Sequence, residues 1–144
     1  MTIQQLSIFL ENRVGRLAET TGILKENNID IRALSLADTT KFGILRLIVD
    51  QPAKAEKALK KAGMTVSLTN VIAIAVSDQP GGLAAAASAL GEAGIAVEYM
   101  YAFISGSGDT AYIILRVDHN ENALAALKRA GIAVLSSGQI FKKD

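Results

Sequence analysis

Two stretches, Glu11-Asn12-Arg13-Val14-Gly15-Arg16-Leu17 and Ser77-Asp78-Gln79-Pro80-Gly81-Gly82-Leu83, share one layout. Each follows an apolar, β-rich run, places a polar side chain three residues before a glycine, and opens onto apolar positions at helical spacing. They stand 66 residues apart, and the match extends well beyond them. At that shift residues 71–102 fall on 5–36, with Ile8, Gly15, Leu17, Ala18, Leu24, Glu26 and Ile29 meeting identical residues. At a shift of 68, residues 109–134 fall on 41–66, with Leu47, Val49, Asp50, Ala55, Ala58, Leu59, Lys60, Ala62, Gly63 and Val66 matched. Shared apolar composition does not align glycines at helix boundaries, so the chain is a duplication. The change of shift puts a two-residue insertion in the loop Ser105–Asp109. The units are expected at 1–69 and 70–144.

Each unit reads in one order. Ile3–Leu10 and Val71–Val76 are short apolar runs, expected as strands. Val14, Leu17, Thr21 and Leu24, and then Leu83, Ala87 and Leu90, have the spacing of a helix face. Asn28 and Gly94 suit the left-handed residue that ends a helix. Ile29–Ala37, Phe42–Val49, Ile95–Ile104 and Ala111–Val117 return to strand chemistry. Second helices follow, with Ala55, Ala58, Leu59 and Ala62 opposite Lys54, Lys57, Lys60 and Lys61, and a repeat at Ala123, Ala126, Leu127 and Ala130. Gly63 and Gly131 stop them. Met64–Leu68 and Ile132–Leu135 close the units. The expectation is an α+β protein of two tandem ferredoxin-like βαββαβ units, each an antiparallel sheet with helices on one face. In the strand from Ile95, Val97, Tyr99, Tyr101 and Phe103 are expected on one face and Met100, Ala102 and Ile104 on the other. Both faces are apolar apart from Glu98, which predicts a second sheet against the helix-free face and a homodimer.

Composition narrows the function. The 144 residues are half apolar and only 5% aromatic, and 15 Lys+Arg balance 14 Asp+Glu for a formal charge of +1. Such dispersed charge lacks the basic footprint from which nucleic-acid binders draw affinity. With no Cys there is no disulfide framework, thiolate metal site or thiol catalysis. The N-terminus lacks a signal peptide's apolar core, and no segment approaches the roughly 18 apolar residues of a membrane helix. A cytoplasmic protein without membrane contact is expected.

The two loops resemble the signature loop of the ACT domain, commonly Asn or Asp, x, Pro, Gly, x, Leu, followed about a dozen residues later by Asn-Ile-x-Ile. That second element stands here as Asn28-Ile29-Asp30-Ile31 and, more loosely, Gly94-Ile95-Ala96-Val97. The resemblance covers essentially the whole chain, once per unit, with no attached catalytic domain. It implies a stand-alone, non-catalytic regulatory protein, allosteric in character, that binds a free amino acid where one domain's first loop meets the neighbouring domain's second strand. Residues 12–17 would pair with Glu98–Tyr101, and residues 78–83 with Asp30–Ser35. The implied binding residues are Asn12, Val14, Gly15, Arg16 and Leu17 with Glu98, Tyr99 and Met100, and Asp78, Pro80, Gly81, Gly82 and Leu83 with Asp30. No cofactor or metal is implied. The loop chemistry agrees: a glycine admits close approach to the backbone, a helix N-terminus favours a carboxylate, and Asp30, Asp78 and Glu98 are candidates for an ammonium. Val14 for Pro and Arg16 for Gly82 make the two sites unequal.

The same residues admit plainer roles. Asn12 and Asp78 suit helix N-caps, Gly15 and Gly81 tight helix–strand packing, and Tyr99 and Tyr101 a core or interface. Arg16 is a solvated charge unless a carboxylate lies close, and a lone His119 at a turn is neither ligand nor base. Two further functions share the element order. An acylphosphatase-like enzyme would use Arg13 or Arg16, but its glycine-rich phosphate loop is missing. An RNA-binding module would need stacking aromatics that Phe42-Gly43-Ile44-Leu45 does not supply. A regulatory subunit serving a partner enzyme of amino-acid biosynthesis remains compatible with the sensor reading.

Overall fold

The computed structural model describes residues 1–38, 41–103 and 108–141. Its elements are β1 (Ile3–Glu11), α1 (Arg16–Glu26), β2 (Ile31–Asp38), β3 (Phe42–Val49), α2 (Pro52–Lys61), β4 (Thr65–Ser77), α3 (Gly82–Glu92), β5 (Val97–Ala102), β6 (Thr110–Val117), α4 (Asn120–Arg129), β7 (Ala133–Leu135) and α5 (Ser137–Ile140). The duplication is visible in the boundaries, since α1 and α3 differ by 66 positions and α2 and α4 by 68. Ile104 of the expected strand and the Ser105–Ser107 part of the insertion lie outside the described residues.

Contacts divide the chain into Gln4–Thr69 and a second unit of Asn70–Asp144 with Met1–Ile3. In the first, β3 lies between β2 and β1, with β4 beside β1, and α1 packs with α2. In the second, β6 lies between β4 and β5, with β7 on the other side of β4, and α3 packs with α4. The β1–β3, β2–β3, β4–β6, β4–β7 and β5–β6 pairings are antiparallel. This is the α+β, βαββαβ architecture that the repeat predicts. Met64–Leu68 and Val71–Val76 are not separate strands, however. Asn70 alone, without Gly or Pro beside it, does not turn the chain, and one 13-residue strand, β4, runs through both runs.

The alternation of the strands buries one face of each sheet under its helices. Leu6, Ile8 and Leu10 of β1 meet Leu45, Leu47 and Val49 of β3, with Leu24 of α1 and Ala55 and Leu59 of α2 closing the cluster. Ile72, Ile74 and Val76, Ile113, Leu115 and Val117, Ala86 and Leu90, and Ala123 and Leu127 repeat it. The first helix of each unit turns differently from its expected face. Thr20 and Leu24, and Ala86 and Leu90, are its buried residues, whereas Leu17 and Leu83 are each 43% exposed and Val14 precedes the helix. Thr20 can point inward because its hydroxyl donates to the Arg16 carbonyl at 2.9 Å and toward Met64 Sδ at 3.5 Å.

All four long helices stop alike. Asn28, Gly63, Gly94 and Gly131 have positive φ, and the next residue's N–H reaches back to the helix (Ile29 to Leu24, Met64 to Leu59, Ile95 to Leu90, Ile132 to Leu127). This is the Schellman arrangement. The ensuing apolar residues Ile29, Met64 and Ile95 are buried, so each stop also fixes where the next strand enters the core.

Candidate functional site

In the first unit, β1 ends at Glu11 and α1 begins at Arg16, so four residues must reverse the chain. The Arg13 N–H bonds the Glu11 carbonyl at 2.8 Å, and the Arg16 N–H bonds the Arg13 carbonyl at 3.3 Å. Gly15 then takes φ 87°, a left-handed value that costs an L side chain about 1–2 kcal/mol and glycine little. Gly81 does the same at φ 92°. A Cβ on either would meet nothing within 4 Å, so these glycines serve the turn rather than tight packing. Gly82 is the packing glycine: its added Cβ would overlap the Ser77 carbonyl oxygen. Arg16, which has a Cβ, stands at that position in the first unit, so the close approach of a helix start to the strand before it belongs to the second unit.

Asn12 and Asp78 do not cap the helices. Gly15 and Gly81 occupy the N-cap positions, and neither helix has a side-chain cap. The backbone N–H groups of Asn12 and Asp78 instead bind the carbonyls of Lys41 (3.3 Å) and Asp109 (2.7 Å), tying each loop to the strand behind it. The expected carboxylate cradle is correspondingly reduced, because the Arg16 and Gly82 N–H groups are spent on the turns, the latter on Gln79 at 3.0 Å.

Beside the first loop lies a cavity of about 450 Å³. Leu10, Val14, Leu17 and Leu36 supply its apolar lining, and Glu11, Asn12, Arg13 and Arg16 its polar lining, with Gly43 between them. Gly43 has no room for more: a Cβ there would lie 3.2 Å from Leu36 Cδ1 and 3.7 Å from Asn12 Oδ1. Arg16 is the more enclosed of the two cations. Its side chain is 13% exposed, its Nη1 donates to Glu19 Oε2 at 2.9 Å, and its Nη2 is 4.0 Å from Glu11 Oε1. Its Nε is buried without a hydrogen-bond partner. Arg13 Nε pairs with the other Glu11 oxygen at 3.2 Å in a far more exposed position. A second cavity, of about 520 Å³, lies between α4 and β7, where Lys128 is its one charged side chain. Convergent polar groups mark the first as the candidate site.

Asn12, Val14, Arg16 and Leu17 are therefore brought together, with Gly15 shaping the loop that carries them. Leu10, Glu11, Arg13, Leu36 and Gly43 were not among the expected binding residues. All but Arg13 are strand positions, and the place of Leu10, Leu36 and Gly43 depends on the Leu10–Gly43 and Leu36–Leu45 registers. Asp30 immediately precedes β2, six residues or about 20 Å from Leu36. Its N–H bonds Asp50 Oδ1 at 3.0 Å, and its carboxylate lies 3.6 Å from Arg32 Nη1.

In the second unit Asp78, Pro80, Gly81, Gly82 and Leu83 form the corresponding loop. Glu98 of β5 sits 3.4 Å from Arg116 Nε, and Tyr99 and Tyr101 stack at 6.5 Å between ring centroids. Met100 pairs in register with Leu115 on the helix side, 40% exposed. Val97 is not on the tyrosine face. A register shift between Val97 and Tyr99 pairs Val97 with Val117, a core residue, and one extra residue in a strand reverses the facing of everything before it. The first unit has the same shift between Ile31 and Ala33. His119 precedes α4, its N–H on Asp118 Oδ1 at 3.0 Å.

Two βαββαβ repeats, each starting its first helix from a left-handed glycine, define a tandem ferredoxin-like pair. The chain belongs to the ACT domain pair family, whose model matches residues 1–140. It is similar to the crystal structure of a Bacteroides thetaiotaomicron protein, with 38% identity, coverage of 99% of this chain and 98% of that one, and a TM-score of 0.92. It shares its fold with the regulatory subunit of aspartate kinase from Thermus thermophilus (18% identity, 88% and 91% covered, TM-score 0.65). The same subunit from Thermus flavus is similar at 17% identity, 89% and 92% covered, and a TM-score of 0.61. No curated protein matches the sequence.

Proposed function

We propose that the chain is a non-catalytic cytoplasmic sensor, which binds a free amino acid at its helix-opening loops and acts on a partner enzyme. The observation that carries this reading is the cavity beside residues 11–17 of an ACT domain, in which two guanidiniums, a carboxylate, an amide and four aliphatic side chains converge. An amino acid offers the complement of each. In this proposal the second loop, residues 78–83, is a second and unequal site, and Asp30, Glu98, Tyr99 and Met100 are further ligand-binding residues. The similarly folded Thermus proteins are regulatory subunits of aspartate kinase, and a regulatory part is in keeping with them.

The acylphosphatase-like alternative is weakened by the arginines themselves. Arg13 is paired with Glu11, and Arg16 with Glu19, so a phosphate would meet two carboxylates beside its cations. Thermal-shift screening against the twenty amino acids tests the sensor reading. A ligand at 100 times its Kd adds about 2.7 kcal/mol of stability. If none of the twenty raises the melting temperature at millimolar concentration, and calorimetry detects no heat of binding, the reading is wrong.

A further inference from the structure

The chemistry around Arg16 narrows the ligand, on the premise that the loop cavity is an amino-acid site. Arg16 occupies the position of a glycine in the other unit, yet it does not extend into solvent as a surface arginine would. Glu19 engages its Nη1 end. The opposite edge, Nε with Nη2, is unfilled: Nε has no partner, and the 4.0 Å from Nη2 to Glu11 is too long for a hydrogen bond. That edge presents two parallel N–H groups, the geometry a carboxylate accepts in a bidentate pair. A buried donor left unmade is costly, so the site is poised for an acceptor.

Charge and lining limit what can carry that carboxylate. Arg13 and Arg16 are offset by Glu11 and Glu19, so the loop favours a molecule with no net charge over a second anion. Glu11 is about half exposed and lines the same cavity, so its carboxylate is at hand for an ammonium. Leu10, Val14, Leu17 and Leu36 leave the rest of the cavity apolar, with Val14 fully exposed at its rim.

We infer that Arg16 is the carboxylate anchor of the first unit's site, and that its ligand is a zwitterionic amino acid with an aliphatic side chain. Leucine is the probe, leucinamide the control that lacks the carboxylate, and glutamate the control that carries a second one. Calorimetry on the full chain should show leucine binding tighter than either control. Arg16→Gln should weaken leucine about 10- to 100-fold, the range for loss of a hydrogen bond to a charged group, and leave leucinamide nearly unchanged. A merely structural arginine would weaken both ligands alike, and that result overturns the inference. So does a variant that binds leucine as the parent does. Glutamate binding above leucine would overturn the aliphatic class and leave the sensor function standing, whereas a parent chain that binds no amino acid removes both. If circular dichroism shows Arg16→Gln misfolded, the Arg16 Nε–H resonance of the parent serves instead. It should move on adding leucine and stay in place with leucinamide, and an unmoved signal in leucine sinks the assignment.

Discussion

Glycines that align in a repeat do different physical work at neighbouring positions. At Gly81 the constraint is φ, with open space where a side chain would go; at Gly82 it is space, because the Ser77 backbone occupies the Cβ position. Gly82→Ala should therefore destabilise more than Gly15→Ala. Moving backbone apart to admit a methyl costs about 1–3 kcal/mol, against about 1–2 kcal/mol for placing Ala at positive φ. Urea unfolding midpoints of the two variants check the order, and equal losses would mean that α3 shifts freely on β4. The sequence shows these glycines but not which constraint applies, since that depends on how closely a helix approaches a strand. Arg16 is the sharpest case. Its residue type at a loop start fits a solvated charge equally well, and only the Glu19 pair and the enclosed Nε distinguish the readings.

Elements were legible where period and punctuation agreed. The nearly continuous apolar run of Phe42–Val49 and the spaced, glycine-stopped second helices stand close to where the pattern puts them. Three misses have local causes. β4 runs unbroken through Thr69-Asn70, where a lone Asn without Gly or Pro does not turn the chain. The shifted registers in β2 and β5 move Val97 to the helix side, a change that alternation alone cannot reveal. The short α5 is held by a capping box, in which the Ser136 hydroxyl accepts from the Gln139 N–H at 3.4 Å and Gln139 Oε1 accepts from the Ser136 N–H at 2.7 Å. Its single buried apolar residue, Ile140, gives no periodicity to read. Ser136→Ala should cost about 1 kcal/mol and raise amide exchange across Ser137–Ile140. Unchanged exchange would show that Ile140 packing alone holds the turn. In the larger helices packing dominates, and Leu59→Ala, at a fully buried position, should cost about 2–5 kcal/mol in urea unfolding.

At the scale of the whole molecule, the duplication gives two copies of one loop whose chemistry has diverged. Apolar side chains on the helix side of the β2 and β5 strands remain open: Leu34 and Leu36 are 46% and 49% exposed, Leu17 beside them 43%, and Leu83 and Met100 43% and 40%. Isolated exposed leucines are ordinary, but Leu34 and Leu36 share one face of one strand, and Leu17 and Leu36 line one cavity. The residues that would make a surface sticky thus include the aliphatic lining proposed to hold the ligand. A homodimer that covers these positions would link association to ligand binding, whereas a dimer through the tyrosine face would not. Light scattering at micromolar concentration should give a mass near twice the 15.2 kDa of the chain. Leu34→Lys, which places a charge on the open strand face, should shift the mass toward monomer, while Tyr101→Lys, on the helix-free face first expected to form the contact, should leave it unchanged. The reverse pattern would assign the contact to the tyrosine face, and a parent chain of monomer mass would remove the dimer altogether.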